Sequence, residues 1–387
     1  MDEVIQLVRS NMRRFGMIIA LTGIIILFQV LTNGIILTPL NVTNIIMQNS
    51  YIIILAIGMM LVIITGEIDL SVGSVAAFIG AVSGVLLVSN DLPVYLGIIM
   101  CLLLGALIGA WQGFWVAYVN IPSFIVTLAG MLIFRGLTLV VLQGRTIAPY
   151  PESFRGLSSS FIPDLFGGGK IQFFTILIGI LITLIFVFNE LQMRKTDLSY
   201  NFQVLALPWF VVKLVLFSIV INLFTYILAL YEGIPYVLIV LSILVIVYTF
   251  LMNRTVLGRH VYAVGGNIQA AKLSGVKTKK IKLIVFINMG IFAALSGLIF
   301  AGRLNAATPQ AGTLFELDAI AAAIIGGASF TGGIGTVFGA VIGALVMGVL
   351  NNGMSLMGIG IDWQQAIKGV VLLLAVAFDV LNRNKTH

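Results

Sequence analysis

The chain has 387 residues, 60% hydrophobic and 9% charged, with a formal net charge of +7 and one cysteine. A mean hydropathy of +1.14 means more apolar surface than a soluble core could bury, which excludes a water-soluble domain and predicts an all-α, polytopic membrane protein. Cys101 has no partner, and His260 and His387 form no ligand pair, so a disulfide framework, a metal site and Cys–His chemistry are excluded.

At the N-terminus, Arg9, Arg13 and Arg14 precede an apolar run that opens at Phe15. The run is too long for a cleaved leader and no Ala-x-Ala-like site follows it, so a retained first span and a cytoplasmic N-terminus are expected. Runs of spanning length give about twelve helices: 15–33, 45–65, 72–89, 94–119, 122–142, 171–189, 204–230, 234–252, 283–302, 319–332, 335–352 and 363–381. An even count returns the C-terminus, with Arg383 and Lys385, to the cytoplasm. Arg145, Arg155, Lys170 and Arg303 then lie outside, Arg135, Lys213 and Lys368 lie within spans, and every other Lys and Arg is cytoplasmic, as the positive-inside rule requires. The three in-span cations are expected to snorkel or pair.

Between the second and third spans stands Gly66-Glu67-Ile68-Asp69-Leu70-Ser71-Val72-Gly73-Ser74. Two carboxylates are costly in so apolar a setting unless donors, water or a partner face them. Asp69 or Ser71 can cap the helix that begins near Val72, or the acids can meet a substrate; the sequence leaves both open. A similar break, Ile324-Ile325-Gly326-Gly327 then Gly333-Ile334-Gly335, separates 319–332 from 335–352. Either break can be a kinked or half-spanning element, and the shared pattern is a faint internal repeat of the kind transporters carry. The stripes Gly105-Gly109-Gly113 and Gly335-Gly339-Gly343 suit close helix approach in lipid.

Pro122 biases Ile121 away from helix and fixes a bend before the fifth span. The segment Gln143 to Lys170, with Pro149, Pro151 and Pro163, is the longest external stretch and is expected to be an ordered or semi-ordered loop. The long polar island Asn253 to Lys282 holds Arg254, Arg259, Lys272, Lys277, Lys279, Lys280 and Lys282 and no acid. Its charge matches the net charge of the whole chain, so the excess reports orientation and contact with membrane lipids, with no nucleic-acid partner implied.

These motifs carry a resemblance. Gly66 to Ser74, Pro122 to Gly130, Val261-Tyr262-Ala263-Val264-Gly265-Gly266-Asn267, and Ile324 to Ser329 ahead of Gly332 occur in an order similar to that of permease subunits of bacterial monosaccharide ABC importers. Gln269-Ala270-Ala271-Lys272-Leu273-Ser274-Gly275 resembles the Glu-Ala-Ala-x-x-x-Gly loop by which such subunits dock on their ATPase.

The resemblance implies a type II importer fold over 1–387, one transmembrane domain in the bacterial inner membrane. The implied partners are a second copy of the chain, an ATP-binding subunit that holds ATP and magnesium, and an extracytoplasmic sugar-binding protein. The chain has no phosphate loop, so it is expected to be a transporter subunit and not an enzyme, with no cofactor of its own. Docking falls to 253–282, with Arg259, Gly265, Gly266, Asn267, Ala270, Ala271 and Gly275, and with Ala270 and Ala271 expected to face the ATPase. A gate and pore are expected at Pro122, Ser123, Phe124, Thr127, Asn351 and Asn352, with Glu67, Asp69, Ser71 and Gly73 forming the helix-break motif. Family members show about ten spans, so 171–230, joined at Glu190 to Asp197, is expected to be an inserted helix pair. That length and the tail from Asn352 to Gln364 look like the xylose-type members. The rival is a secondary transporter driven by an ion gradient, with its site on broken helices at the bilayer midplane.

Overall fold

A computed structural model describes residues 12–167, 169, 171–202 and 204–384; Arg9 and Lys385 lie outside them. The described residues form fifteen α-helices and no β-strand. In chain order these are α1 (Met12–Leu31), α2 (Pro39–Ile64), α3 (Val72–Gly84, continued by a π turn, Val85–Ser89), α4 (Val94–Ala117) and α5 (Ser123–Leu142). There follow α6 (Glu152–Ser159), α7 (Phe173–Ser199), α8 (Leu207–Ala229), α9 (Tyr236–Arg254) and α10 (Val256–Gly266). The last are α11 (Ile268–Leu273), α12 (Thr278–Leu304), α13 (Phe315–Ile325), α14 (Val337–Leu356) and α15 (Ile361–Asn384). Nine stretches among the described residues are long and apolar enough to cross a membrane.

Three boundaries differ from the sequence expectation. The Glu190 to Asp197 connector is helical, because α7 runs on to Ser199. Its charges are accommodated on the helix, Glu190 by Lys213 at 2.8 Å and Arg194 over the Phe210 ring at 4.6 Å. The basic island is no open loop: it holds α10 and α11, and α12 already begins at Thr278. The expected span 319–332 is only the eleven-residue α13, which stops at Ile325 ahead of Gly327, Gly332 and Gly333, all at positive φ. It is a half-length element, as the Gly-rich break allowed.

The chain forms two compact units. The larger comprises Met1–Ile36, Ile45–Ser159 and Val237–His387. Its core is built on α2, which is apolar all round and buried from Ile52 to Ile64. Around it α12 packs on α4 and α3, and α13 packs on α14. The first glycine stripe and Gly339 and Gly343 of the second lie in these seams, whereas Gly335 precedes α14 and faces the Ile64 side chain. A Cβ at Gly105 would sit 2.5 Å from Gly290 O and one at Gly109 2.3 Å from Phe286 O. At Gly343 it would sit 1.9 Å from Ala322 O. These backbones touch because no side chain intervenes. The external segment belongs to this unit only as far as Ser159: Tyr150 Oη donates to Gly80 O at 2.9 Å and Phe154 of α6 is buried.

The smaller unit comprises Leu37–Asn44 and Ser160–Tyr236. It is mainly the α7–α8 antiparallel hairpin, tied at its open end by Ile162 N–H donating to Ile234 O at 3.0 Å. The helices touch at Gly179, where a Cβ would meet Thr225 Oγ1 at 2.2 Å.

Candidate functional site

The first helix break is held by its own donors. Asp69 Oδ1 accepts the Ser71 N–H at 2.8 Å and the Ser71 hydroxyl at 2.6 Å, and Gln112 Nε2 of α4 donates to Ser71 Oγ at 2.8 Å. Burial pushes the Asp69 carboxyl up to about 6, against the two Ser71 hydrogen bonds that pull it down. Ile68 N–H donates to Ser123 Oγ at 3.2 Å, and the Thr127 hydroxyl donates to Ser123 O at 2.8 Å. The helix-break motif and two of the expected pore residues are therefore one cluster, in which Asp69 fixes the turn into α3 and Ser123 and Thr127 are buried behind it. Gln112 was missing from the expected set. Its signal was a long amide inside an otherwise apolar span, beside the Gly113 of the stripe.

Other expected pore residues lie elsewhere. Phe124 is exposed, and Pro122 precedes α5 with φ −52° and ψ 133°, the fixed bend. Asn351 and Asn352 stand on α14 beside Gly353, in the seam where that glycine meets the Phe28 ring of α1.

The second break meets the first at a glycine junction. Gly333 N–H donates to Ile64 O at 2.8 Å, and a Cβ at Gly332 would lie 3.2 Å from Gly66 N. Into the same place packs the end of α10. A Cβ at Gly265 would overlap Ile64 O at 1.6 Å and lie 2.7 Å from Gly333 N. Tyr262 Oη donates to Gly335 O at 2.7 Å, and Lys282, near the start of α12, pairs with Glu67. Only glycine permits three backbone segments to approach so closely.

Next in the chain, α11 is a well-capped short helix. Asn267 Oδ1 accepts from Gln269 N–H at 3.0 Å and Ala270 N–H at 2.9 Å, and Gly275, with φ +82°, follows its end. Ala270 is exposed but Ala271 is buried in the chain's own core. Neighbouring positions on a helix point about 100° apart, so the expectation that both face a partner fails for Ala271. Every other residue of α11 is exposed, Ile268, Gln269, Ala270, Lys272 and Leu273, the last at 89%, with Arg259 and Gly266 also exposed on α10.

A third feature lies deeper. After α12 the chain turns back along α3: a Cβ at Gly84 would lie 3.1 Å from the Ala307 side chain, and one at Gly73 2.3 Å from Gly312 O. The re-entrant segment thus follows α3 for eleven positions, roughly 16 Å. Its carbonyls Ala311 O and Pro309 O accept from the Arg135 guanidinium at 2.6 and 3.4 Å. Lys368 pairs with Asp318 at 3.0 Å. Each in-span cation therefore has a partner within the chain, as expected.

Over residues 41–376 the chain matches the family described as Branched-chain amino acid transport system / permease component. It is 42% identical over 97% of its length to the xylose transport system permease protein of Haemophilus influenzae, covering 98% of that protein. To the xylose transport system permease protein of Escherichia coli K12 it is 41% identical, over 97% of this chain and 94% of that one. To the ribose import permease protein of Escherichia coli K12 it is 36% identical, over 88% of this chain and 85% of that one. No solved structure matches. With nine membrane-length apolar helices among the described residues and a family match that runs from α2 into α15, the chain is a multi-pass membrane protein and belongs to the family of branched-chain amino acid transport system permease components.

Proposed function

We propose that the chain is the transmembrane permease subunit of an ATP-driven importer that moves a monosaccharide, a pentose such as xylose foremost, into the cytoplasm. It works as a homodimer, with ATP and magnesium on a separate ATP-binding subunit and with an extracytoplasmic protein delivering the sugar. The likeness to xylose and ribose permeases supports the cargo. The observation that carries the mechanism is the junction at Gly265, where the helix pair expected to dock the ATPase bears on both helix breaks. A partner pressing on Ile268, Ala270 and Leu273 would displace α10 against Ile64 and Gly333, and so shift both breaks together. The basic α10–α12 end is assigned to the cytoplasm by its charge.

The test is co-expression with the ATP-binding subunit and binding protein, followed by reconstitution into proteoliposomes. ATP-dependent xylose uptake that survives a protonophore is expected. Uptake that needs no ATP and collapses with the proton gradient would establish the rival secondary transporter. In the same vesicles, cysteine at Ser274 should react only with reagent on the ATP side and cysteine at Ser153 only from the opposite side. The reverse pattern would invert the topology.

A further inference from the structure

The re-entrant segment, residues 305–314 between α12 and α13, is not helical, and it runs deep into the larger unit. Gly312 lies against α3, where its Cβ would sit 1.9 Å from Gly73 O. Two residues before Gly73, Ser71 meets α5: a Cβ at Gly130 would lie 3.3 Å from Ser71 Cβ. From further along α5, Arg135 donates to Ala311 O at 2.6 Å. The tip of the segment therefore stands between the levels of Gly130 and Arg135, seven and twelve positions past Ser123, roughly 10 to 18 Å along a helix about 30 Å long. That is the middle of the span.

At this depth the segment is polar outside and apolar inside, the reverse of a surface that faces lipid. Ala307 and Gly312 are buried against α3, and the two exposed residues of the segment are Gln310 and Thr313. The Thr313 hydroxyl donates to Gln310 O at 2.7 Å, and the Gln310 amide makes no hydrogen bond among the described residues. At the same level α5 exposes Leu132 and Ile133, as a lipid-facing surface does. Non-helical backbone at membrane depth is tolerated only where protein buries it or where it lines a water-filled cavity. Exposed amide and hydroxyl groups mark the second case, because neither finds a partner in hydrocarbon. The wall is also neutral. The Arg135 guanidinium is occupied by the carbonyls of Pro309 and Ala311, so the segment offers an amide and a hydroxyl, each both donor and acceptor, which match the hydroxyls of a neutral polyol.

We infer that Gln310 and Thr313 line a water-filled path through the membrane and form its hydrogen-bonding wall for a neutral polyol in passage. This rests on the importer reading above and gives the path its residues.

The test uses the complete reconstituted importer in a Cys101→Ala background, with Gln310→Cys, Thr313→Cys and, at the same level of α5, Leu132→Cys introduced singly. A thiol reacts as its thiolate, which forms in water and not in lipid. A charged thiol reagent should modify the first two variants and leave the third, and modification at position 310 should abolish D-xylose uptake while ATP hydrolysis continues. Reaction at 310 and 313 no faster than at 132, or modification of both that leaves uptake intact, overturns the path. An unreactive position 310 that an oxidant crosslinks between two copies of the chain overturns it as well, and assigns the segment to the contact of those copies. Labelling needs neither ATP nor the binding protein, so absence of ATP-driven uptake in the unmodified importer overturns the importer reading while the labelling still decides the path.

Discussion

The most apolar stretch of α2 has a mean hydropathy of 2.0 and that of α7 one of 2.3, yet 83% of the first is buried within the chain against 11% of the second. Hydropathy alone therefore does not say which span is core and which faces lipid. Between apolar helices in a bilayer there is no water to expel, so association comes from close packing and polar bonds. The core has both. The α13–α14 and α4–α12 seams are glycine on backbone, and the break before α3 is bonded to α4 through Ser71 and Gln112 and to α5 through Ile68 and Ser123. The α7–α8 hairpin is joined by a glycine on a side chain, Gly179 on Thr225, by the Asn222–Thr183 hydrogen bond at 2.8 Å, by Arg194 over Phe210 and by the Lys213–Glu190 pair, but no glycine lets its two backbones touch, and its Leu177, Leu184 and Leu216 are exposed.

The sharpest way to break this contrast is to substitute in each region. Gly343→Val places side-chain atoms where a Cβ alone meets Ala322 O at 1.9 Å; backbone opposes backbone there, so overpacking costs about 1–3 kcal/mol or more. Leu216→Ala on the hairpin, at a position 58% exposed, should stay within about 0.5 kcal/mol. Thermal unfolding in detergent reads both. Equal losses would mean that the hairpin is packed as tightly as the core. The next effect is functional. Gly265→Ala forces α10 off Ile64 O and should reduce binding-protein-stimulated ATP hydrolysis roughly tenfold, the equivalent of about 1.4 kcal/mol, while the ATPase still co-purifies. Normal stimulation would show that the junction does not carry coupling.

The same contrast explains what was legible in the sequence. Helix existence followed from apolar runs, and the glycine stripes were visible as spacing, because both are local patterns. The expectation that Asp69 or Ser71 caps α3 fails: Ser71 stands at its start without a side-chain cap hydrogen bond, and Asp69 instead accepts the N–H and hydroxyl of Ser71, which fixes the turn before the helix. Three things were not local. Gln112 completes the Ser71 network from 41 positions away, the re-entrant segment owes its carbonyl partners to Arg135, and the inward turn of Ala271 depends on which face of α11 meets the core. The helical course of Glu190 to Asp197 was hidden for a different reason: charges signal a connector only until partners such as Lys213 are placed opposite them.

The smallest effects come from one chemistry placed in both regions. Lys282–Glu67 joins α12 to the first helix break across 215 positions, and Lys213–Glu190 joins the two arms of the hairpin across 23. The core pair has little contact with solvent at either end, 18% and 13% side-chain exposure, whereas Lys213 is 36% exposed. Lys213 stands near the start of α8, where a long amine freed of its partner can snorkel toward the interface, so it loses less. A double-mutant cycle of Lys282→Met with Glu67→Gln is expected to give a coupling energy of about 1–3 kcal/mol, with transport falling in each single variant because the ion pair braces the junction under Gly265. The cycle of Lys213→Met with Glu190→Gln is expected to give about 0.2–1 kcal/mol and to leave transport as it was. If the hairpin cycle matches the core cycle in both energy and transport, the hairpin is part of the moving machinery, and the division into a working core and a lipid-facing accessory falls.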